Sequence, residues 1–236
     1  MRHVGFSTGA LAKGDFVRAL ELQKGNAAIT AVELSALRDH ELAPLLAALP
    51  RLDLAAFRYV SFHGPSKLTS LSEDDLVEAL HGVPRGWPIV VHPDVIRTPA
   101  RWRELGSRLC LENMDNRKAK GRTVAEMREL FEALPDATFC LDLGHARQID
   151  PTMALAFLML AEFGHRLVQL HVSEVGPSGE HLPVRSLAAL AFRRVAHRVP
   201  SDCALIIESV IAPADIDSEL STVSRLFDRE AELAIG

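Results

Sequence analysis

The stretch TFCLDLGHARQID, residues 138–150, joins a short apolar run to a carboxylate and a histidine. TFCL is rich in β-forming residues, and Asp142 and His145 stand where such a strand would pass into a helix. The same pattern, an apolar run that ends in Glu, Asp or His, recurs along the chain. Strands that alternate regularly with helices predict a parallel sheet, so this repetition decides the fold class.

Eight apolar runs are predicted to be strands, and segments with helical periodicity separate them. The predicted strands are HVGFS (3–7), AITAVE (28–33), RYVSFH (58–63), PIVVH (88–92), RLCLE (108–112), TFCLD (138–142), LVQLH (167–171) and ALIIE (204–208). Helix candidates include residues 15–25, 72–82, 123–134, 151–164 and 214–227.

The ends of the predicted strands are evenly spaced. The intervals between successive ends, from the second strand to the last, are 30, 29, 20, 30, 29 and 37 residues. A (β/α)8 barrel of about 250 residues needs about 30 residues per unit. The interval of 20 residues before Glu112 leaves room for only one or two helical turns. We therefore predict an α/β fold, a single (β/α)8 TIM barrel domain over residues 1–236.

Composition and charge narrow the function classes. The hydrophobic fraction of 48% and charged fraction of 24% are ordinary globular values, which excludes a disordered chain. The net charge of −5 and pI near 6.1 disfavour a nucleic acid partner. No apolar run approaches the roughly 20 residues of a membrane span, and the N-terminus lacks a signal-peptide core, so we expect a cytoplasmic protein without membrane contact. Its three cysteines, each inside an apolar run, are expected to be reduced core residues.

Seven of the eight predicted strands end in a residue that can bind a metal ion or move a proton. These residues are Glu33, His63, His92, Glu112, Asp142, His171 and Glu208. In a parallel barrel the strand ends meet at the edge that holds the active site. Carboxylates and imidazoles gathered there repel and desolvate one another unless a cation neutralises them. Oxygen and nitrogen ligands without cysteine predict a divalent ion such as Mn, Zn, Mg, Co or Fe.

Each candidate also has a structural alternative. Glu112 and Glu208 could form buried salt bridges, and Asp142 could cap the helix that follows it. His171 could be a hydrogen-bonded core residue, and Glu33 could pair with Arg38. The further candidates, for a second metal ion or for substrate hydroxyls, are Glu33, His63, His92, Asn113, His145 and His181.

In their order along the chain, six motifs resemble those of the xylose-isomerase-like TIM barrels. They are VSFHGP, VVHPD, LCLENMDN, FCLDLGHARQID, LVQLHVSE and LIIESV. That superfamily contains sugar isomerases and epimerases, and also the endonuclease-IV-like enzymes of AP endonuclease family 2. The resemblance runs from the first predicted strand to the last and so covers nearly the whole chain.

The resemblance implies a set of site residues. By similarity to the ketose epimerases, Glu112, Asp142, His171 and Glu208 would hold a divalent metal ion, and the two glutamates would also be the catalytic residues that shuttle the proton. The endonuclease branch has further ligands. Their matches in this chain are His63, His92, His145 and His181. Its Asp-x-His motif falls here on Gly179 and His181, so one acid is missing. One metal ion is expected, with a second as the alternative.

Three functions remain open on the sequence. The leading hypothesis is a divalent-metal-dependent isomerase or epimerase that acts on a small sugar or polyol ketone through an enediolate. The second is metal-dependent phosphoester hydrolysis, in which His63 and His92 help to hold a second metal ion. The third is a non-catalytic barrel that binds a sugar or a metal. A small-molecule partner is expected in each case, and the oligomeric state is left open.

Overall fold

Ten strands are present in the computed structural model, which describes residues 2–228. They are β1 Val4–Ser7, β2 Ala31–Ser35, β3 Tyr59–His63, β4 Ile89–Val91, β5 Leu109–Glu112, β6 Thr138–Asp142, β7 Leu167–Val172, β8 Glu174–Val175, β9 His181–Leu182 and β10 Ala204–Ile207. Eight of them form a closed parallel barrel in the order β1-β2-β3-β4-β5-β6-β7-β10. The predicted (β/α)8 TIM barrel is therefore confirmed, while residues 1 and 229–236 of the predicted domain lie outside the described residues.

Helices cover the outside of the barrel. They are α1 Thr8–Ala12, α2 Phe16–Gln23, α3 Asp39–Ala48, α4 Glu73–Leu80, α5 Pro99–Trp102, α6 Val124–Ala133, α7 Leu143–Ile149, α8 Ala154–Phe163, α9 Ser186–Ala196 and α10 Ile216–Leu226. All five helix candidates are found, and their buried residues recur at helical spacing. The short unit before β5 contains only α5 and the two 3-10 helices Pro93–Val95 and Arg103–Arg108, so it has no long helix, as its length predicted.

Four of the predicted strand ends differ from the structure. β7 ends at Val172 and β10 ends at Ile207, each one residue from its predicted end. β2 does not end at Glu33 but continues to Ser35, where it pairs with His63. Glu33 is thus level with Ser61, two positions below the histidine, and its side chain belongs to the barrel interior. β4 ends at Val91, so His92 lies in the turn that follows it. Local apolarity cannot locate these ends because they depend on pairing with the neighbouring strand.

A two-stranded antiparallel hairpin, which the sequence did not predict, follows the seventh barrel strand. β8 and β9 pair through Glu174 with Leu182 and through Val175 with His181. The turn between them is closed by the Gly179 N–H, which donates to the Gly176 carbonyl at 2.9 Å. Its short strands lack the longer apolar alternation that identifies barrel strands, but they carry His181 to the barrel mouth.

The apolar core lies between the barrel and its helices. Phe131 of α6, Phe139 of β6 and Phe163 of α8 form a cluster of ring contacts there, with centroids 5.0–6.1 Å apart. The three cysteines are buried and unpaired, as expected. None of the helices in residues 2–228 is both long enough and apolar enough to span a membrane.

Candidate functional site

Glu112 is the centre of a buried cluster at the C-terminal edge of the barrel. Its Oε2 lies 3.2 Å from His63 Nε2 and 3.2 Å from His92 Nε2. Its Oε1 lies 3.2 Å from the Nδ1 atoms of both His145 and His171. A carboxylate among four imidazoles has more partners than a structural salt bridge needs. The strand ends therefore do bring these candidates together.

His171 connects two further glutamates to this cluster. Its Nε2 lies 3.1 Å from Glu33 Oε2, and its Nδ1 lies 3.4 Å from Glu208 Oε2. Glu208 Oε2 is also 3.4 Å from His181 Nδ1, which contacts the hydroxyl of Ser173 at 2.9 Å. His181 therefore reaches the cluster from the hairpin, although it lies ten residues beyond His171 in the chain.

Asp142 serves both as a helix cap and as a member of the cluster. Its Oδ1 accepts a hydrogen bond from the His145 backbone N–H at 2.7 Å, which caps α7. Its Oδ2 lies 3.4 Å from His145 Nδ1 but makes no hydrogen bond, although it is buried. Asn113 fixes this arrangement, since its side chain exchanges two hydrogen bonds with the Asp142 backbone, at 2.7 and 3.0 Å. Asn113 thus positions a neighbouring residue.

Three sets of side chains in the described chain offer ligand atoms that all lie within 4.8 Å of one another. The sets are Glu112 with Asp142, His171 and Glu208; His63 with His92 and Glu112; and Glu33 with His63, His171 and Glu208. In the first set, Asp142 Oδ2 and His171 Nδ1 are buried and have no hydrogen-bond partner. A buried polar atom without a partner is costly, and a cation between these atoms would satisfy both. The donor set therefore fits a divalent metal ion.

Burial dominates the protonation of several cluster residues in the metal-free chain. It raises the pKa of Glu208 to about 7 and that of Asp142 to about 6, because the charged form of a carboxyl is disfavoured away from water. It lowers the pKa of His92 to about 4 and that of His181 to about 3. These two imidazoles are therefore neutral at pH 7, which leaves each with a nitrogen lone pair for a ligand.

In His145 and Glu112, the charges of neighbouring groups move the pKa in the direction opposite to that of burial. Burial alone would lower the pKa of His145, but the charge of Asp142 and the Glu112 contact raise it to about 10. Burial alone would raise the pKa of Glu112, but the surrounding imidazoles, His171 foremost, hold it well below its usual range. The centre of the cluster is thus an ionised carboxylate.

A second polar network supports the cluster from below. The Tyr59 hydroxyl donates to Gln169 Oε1 at 2.7 Å, and Gln169 Nε2 donates to Glu33 Oε2 at 2.8 Å. Ser61 adds a third hydrogen bond to the same Glu33 oxygen at 3.2 Å. Gln169 was not among the predicted site residues, although its place two positions before His171 in the apolar run LVQLH puts it on the same inward face.

The cluster lies at the base of an open cavity of about 660 Å³. Both glutamates of the first set line it, together with His63, His92, His145 and His181. One side of the cavity is apolar, with Ala10, Leu37 and Val210. Four charged residues on loops also line the cavity, and the sequence did not predict them because no strand pattern marks a loop. These are Lys67, Asp115, Arg117 and Lys118.

Several solved enzyme structures are similar to this chain in fold. The 3-keto-D-glucoside 4-epimerase of E. coli aligns at 16% identity and TM-score 0.53, over 96% of this chain and 99% of that one. A provisionally assigned sugar phosphate isomerase/epimerase of Anabaena variabilis aligns at 12% identity and TM-score 0.54, over 94% and 88%. A family 2 AP endonuclease of Brucella melitensis aligns at 15% identity and TM-score 0.55, over 89% and 93%.

These similarities agree with the (β/α)8 TIM-barrel fold that the sequence predicted. No protein-family model matches the chain, and no curated protein matches it. The structural neighbours are enzymes of different reaction classes, so the fold alone does not select the chemistry.

Proposed function

We propose that this protein is a divalent-metal-dependent isomerase or epimerase that acts on a small sugar or polyol ketone through an enediolate. The observation that carries the proposal is the first ligand set, Glu112 with Asp142, His171 and Glu208, at the base of a cavity that both of its glutamates line. A small molecule can therefore reach the same carboxylates that would hold the metal.

Three carboxylates and one imidazole form a ligand set that suits a divalent cation such as Mn, Zn, Mg, Co or Fe. When bound, such a cation supplies Lewis-acid polarisation of a carbonyl and stabilises negative charge on the neighbouring oxygen. The side chain of Asp142 is held by its helix-capping hydrogen bond, so its free Oδ2 has a fixed direction. The ring of His171 is held by its hydrogen bond to the side chain of Glu33. These ligands are therefore largely positioned before a metal arrives.

Proton transfer at carbon is assigned to Glu112 and Glu208. An isomerase needs a base that takes a proton from carbon and an acid that returns it, and a pair of carboxylates on one cavity can do both. Neutral His92 and His181, whose rings line the cavity, would orient substrate hydroxyls by hydrogen bonds. The apolar side chains of Ala10, Leu37 and Val210, which also line the cavity, would restrict the access of water.

The set of His63, His92 and Glu112 favours metal-dependent phosphoester hydrolysis as the second candidate. These three residues would hold a second metal ion beside the first, with Glu112 common to both sets. Two neighbouring metal ions are typical of phosphoester hydrolysis. The fold similarity to a family 2 AP endonuclease agrees with this candidate, whereas Gly179 stands where the motif for a third ion needs its aspartate.

Metal content tests the basis of both candidates. We expect elemental analysis to find one divalent ion per chain in the wild type and a large loss in His171→Ala. His165→Ala, which changes an exposed histidine at the opposite end of the barrel, should keep the metal. Circular dichroism of both variants checks that they are folded. Equal metal content in the wild type and a folded His171→Ala protein would remove the central claim.

Turnover in D₂O separates the reaction classes. The metal-loaded protein is incubated with ketoses, inosose-like ketones and phosphodiesters, and NMR follows deuterium uptake at carbon and release of phosphate esters. A changed carbohydrate supports the isomerase, with loss of activity in Glu112→Gln and Glu208→Gln. Phosphodiester cleavage that depends on His63 and His92, with no changed carbohydrate, supports the hydrolase. Binding without either reaction indicates a binding barrel.

A further inference from the structure

Three cationic side chains line the wall of the cavity above the acidic cluster, and the proposed function does not use them. Lys67 lies on the loop after β3, and Arg117 and Lys118 lie on the loop after β5. The chain as a whole has a net charge of −5, so its overall charge does not account for a positive wall. A local field of this kind attracts an oppositely charged ligand into a cavity.

The loop that carries Lys67 is held on both sides of that residue. On one side the Ser66 carbonyl accepts a hydrogen bond from Lys118 Nζ at 3.0 Å. On the other side Asp39 accepts hydrogen bonds from the Thr69 backbone N–H and hydroxyl, both at 2.8 Å. Little ordering of the backbone is therefore needed when a ligand binds to Lys67.

The positive charge of this wall exceeds the negative charge that contacts it. Lys118 Nζ lies 2.8 Å from Asp94 Oδ2, and Arg117 forms an ion pair with the buried Asp115. Within residues 2–228, no carboxylate lies within ion-pair distance of Lys67. One positive charge on the cavity wall is therefore not compensated by a carboxylate among the described residues, and an anion would offset it.

Arg117 offers further donors on the same wall. Its Nε and one NH2 hydrogen contact Asp115, and its NH1 donates to the Ser178 carbonyl at 2.8 Å. A guanidinium has five N–H donors, so two have no acceptor among the described residues. The ion pair with Asp115 and the bond to the hairpin fix the plane of the group, as suits recognition of an oxygen anion.

The cationic wall is adjacent to the metal-ligand candidates. Asp94, the partner of Lys118, has an oxygen 3.9 Å from His92 Nδ1, and His92 Nε2 contacts Glu112 at 3.2 Å. The Asp94 oxygen and His92 Nδ1 are both buried without a hydrogen-bond partner. A single small molecule can therefore contact the wall at one end and the cluster at the other.

We propose that Lys67, Arg117 and Lys118 form an anion subsite, which binds a phosphate monoester or carboxylate group on the substrate. This subsite extends the proposed function, which supplies the chemistry at the other end of the molecule. The substrate is then an anionic sugar, either a sugar phosphate or a sugar acid. Lys67 is the principal contact because its charge is not shared with an acid, and Arg117 directs spare N–H groups at the anion.

Calorimetric titration of the metal-free, chelated protein tests the subsite without any metal or turnover. The probes are inorganic phosphate, a neutral ketose, the phosphate monoester of that ketose and its uronate. We expect the wild type to bind one of the two anionic sugars more tightly than the neutral ketose by roughly tenfold or more, the strength of a charge-assisted contact. Whichever anionic sugar is preferred identifies the source of the anion. Raised ionic strength should weaken this binding.

Variants of Lys67 test whether the preference for the anionic sugar depends on the cationic wall. Lys67→Gln should reduce the preference for the anionic sugar at least about fivefold, and Lys67→Glu should abolish it, because each removes the uncompensated charge. The control is Lys24→Gln, which removes an exposed lysine at the C-terminal end of α2, on the face of the barrel away from the cavity. This variant should keep the preference for the anionic sugar.

Equal binding of neutral and anionic sugars by the wild type overturns the subsite. So does an unchanged preference in Lys67→Glu, which substitutes an exposed residue and should fold normally. If the protein binds no metal but keeps the Lys67-dependent preference, the proposed function fails and the subsite stands. If metal binds and a neutral ketose is turned over without any anion preference, the subsite fails and the proposed function stands.

Discussion

Glu33 and His171 form a fully buried pair beneath the cavity, in which Glu33 Oε2 lies 3.1 Å from His171 Nε2. Gln169 and Ser61 also donate to this oxygen, so it acts only as an acceptor. Burial alone would raise the pKa of Glu33, but the charge of His171 lowers it below its usual value. The Nε2 atom is therefore the donor, and Nδ1 is the nitrogen that faces Glu112 and Glu208.

Removal of Glu33 should therefore weaken metal binding. Glu33→Ala leaves the ring of His171 without its acceptor, and loss of such a partner typically lowers metal affinity by about 10–100-fold. Glu33→Gln keeps an oxygen acceptor and should have a smaller effect. Competition with a chromophoric chelator measures the affinity, and ¹⁵N NMR identifies which nitrogen of His171 carries the proton.

Ser61→Ala is the matched control for this prediction, because it removes one hydrogen bond to Glu33 but keeps the contact with His171. Its metal affinity should stay close to that of the wild type. Wild-type affinity in Glu33→Ala, or a proton on Nδ1 in the metal-loaded wild type, would show that the carboxylate does not orient the ring.

Glu208→Gln should not destabilise the metal-free protein. Glu208 shares the cluster with Glu112, Asp142 and Glu33, so removal of one charge relieves repulsion and desolvation. Loss of one partner of a true buried ion pair costs about 3–5 kcal/mol. Urea unfolding of the chelated proteins measures the free energy of unfolding. A loss of several kcal/mol would mean that the contacts with His171 and His181 make a structural ion pair.

Glu219→Gln provides the comparison, because Glu219 is a buried glutamate outside the cluster. Its carboxylate accepts hydrogen bonds from the Val184 backbone N–H at 2.9 Å and from the Ser209 hydroxyl at 2.5 Å. Bonds to a charged acceptor contribute about 1.5–3 kcal/mol, so this variant should lose stability in the same measurement.

Gly179→Ala should displace Arg117. Gly179 has a φ of +79°, and an added Cβ would lie 1.7 Å from the guanidinium carbon of Arg117. Gly25→Ala is a close control, since Gly25 has a φ of +85° and nothing within 4 Å of its Cβ position. Both variants should lose about 1–2 kcal/mol of stability from left-handed backbone strain. Only Gly179→Ala should weaken binding of the anionic sugar several-fold, as calorimetry would measure.

Asp39→Asn should destabilise the protein in a pH-dependent manner. Hydrogen bonds from Ser70 and Thr69 hold the pKa of Asp39 below its usual value. A carboxyl with a depressed pKa stabilises the fold above its unfolded pKa, about 4, and this stabilisation is lost as the pH falls through the folded pKa. The wild type should therefore exceed the variant in urea unfolding at pH 7, and the difference should shrink below about pH 4.

Asp53→Asn, at an exposed aspartate that pairs with Lys24, is the control and should show little difference at either pH. An equal difference between the wild type and Asp39→Asn at pH 7 and pH 3 would mean that ionisation of Asp39 does not hold the loop. Because this loop carries Lys67, the variant should also bind the anionic sugar less tightly at pH 7.

The sequence by itself determined the barrel and the composition of its cluster. Apolar runs at intervals near 30 residues predict parallel strands, and a parallel barrel brings all strand ends to one edge. The convergence of Glu112, Asp142, His171 and Glu208 follows from that arrangement, because each side chain belongs to or directly follows a barrel strand.

Only the tertiary structure decided how the members of the cluster are arranged. Glu33 lies below His171 because β2 runs on to Ser35, and strand register depends on pairing between strands that lie far apart in sequence. Arg117 reaches the hairpin at Ser178 across 61 residues of chain, a contact between two loops. Loop conformations follow from the packing of the elements they connect, so local sequence patterns do not reveal the charged wall of the cavity.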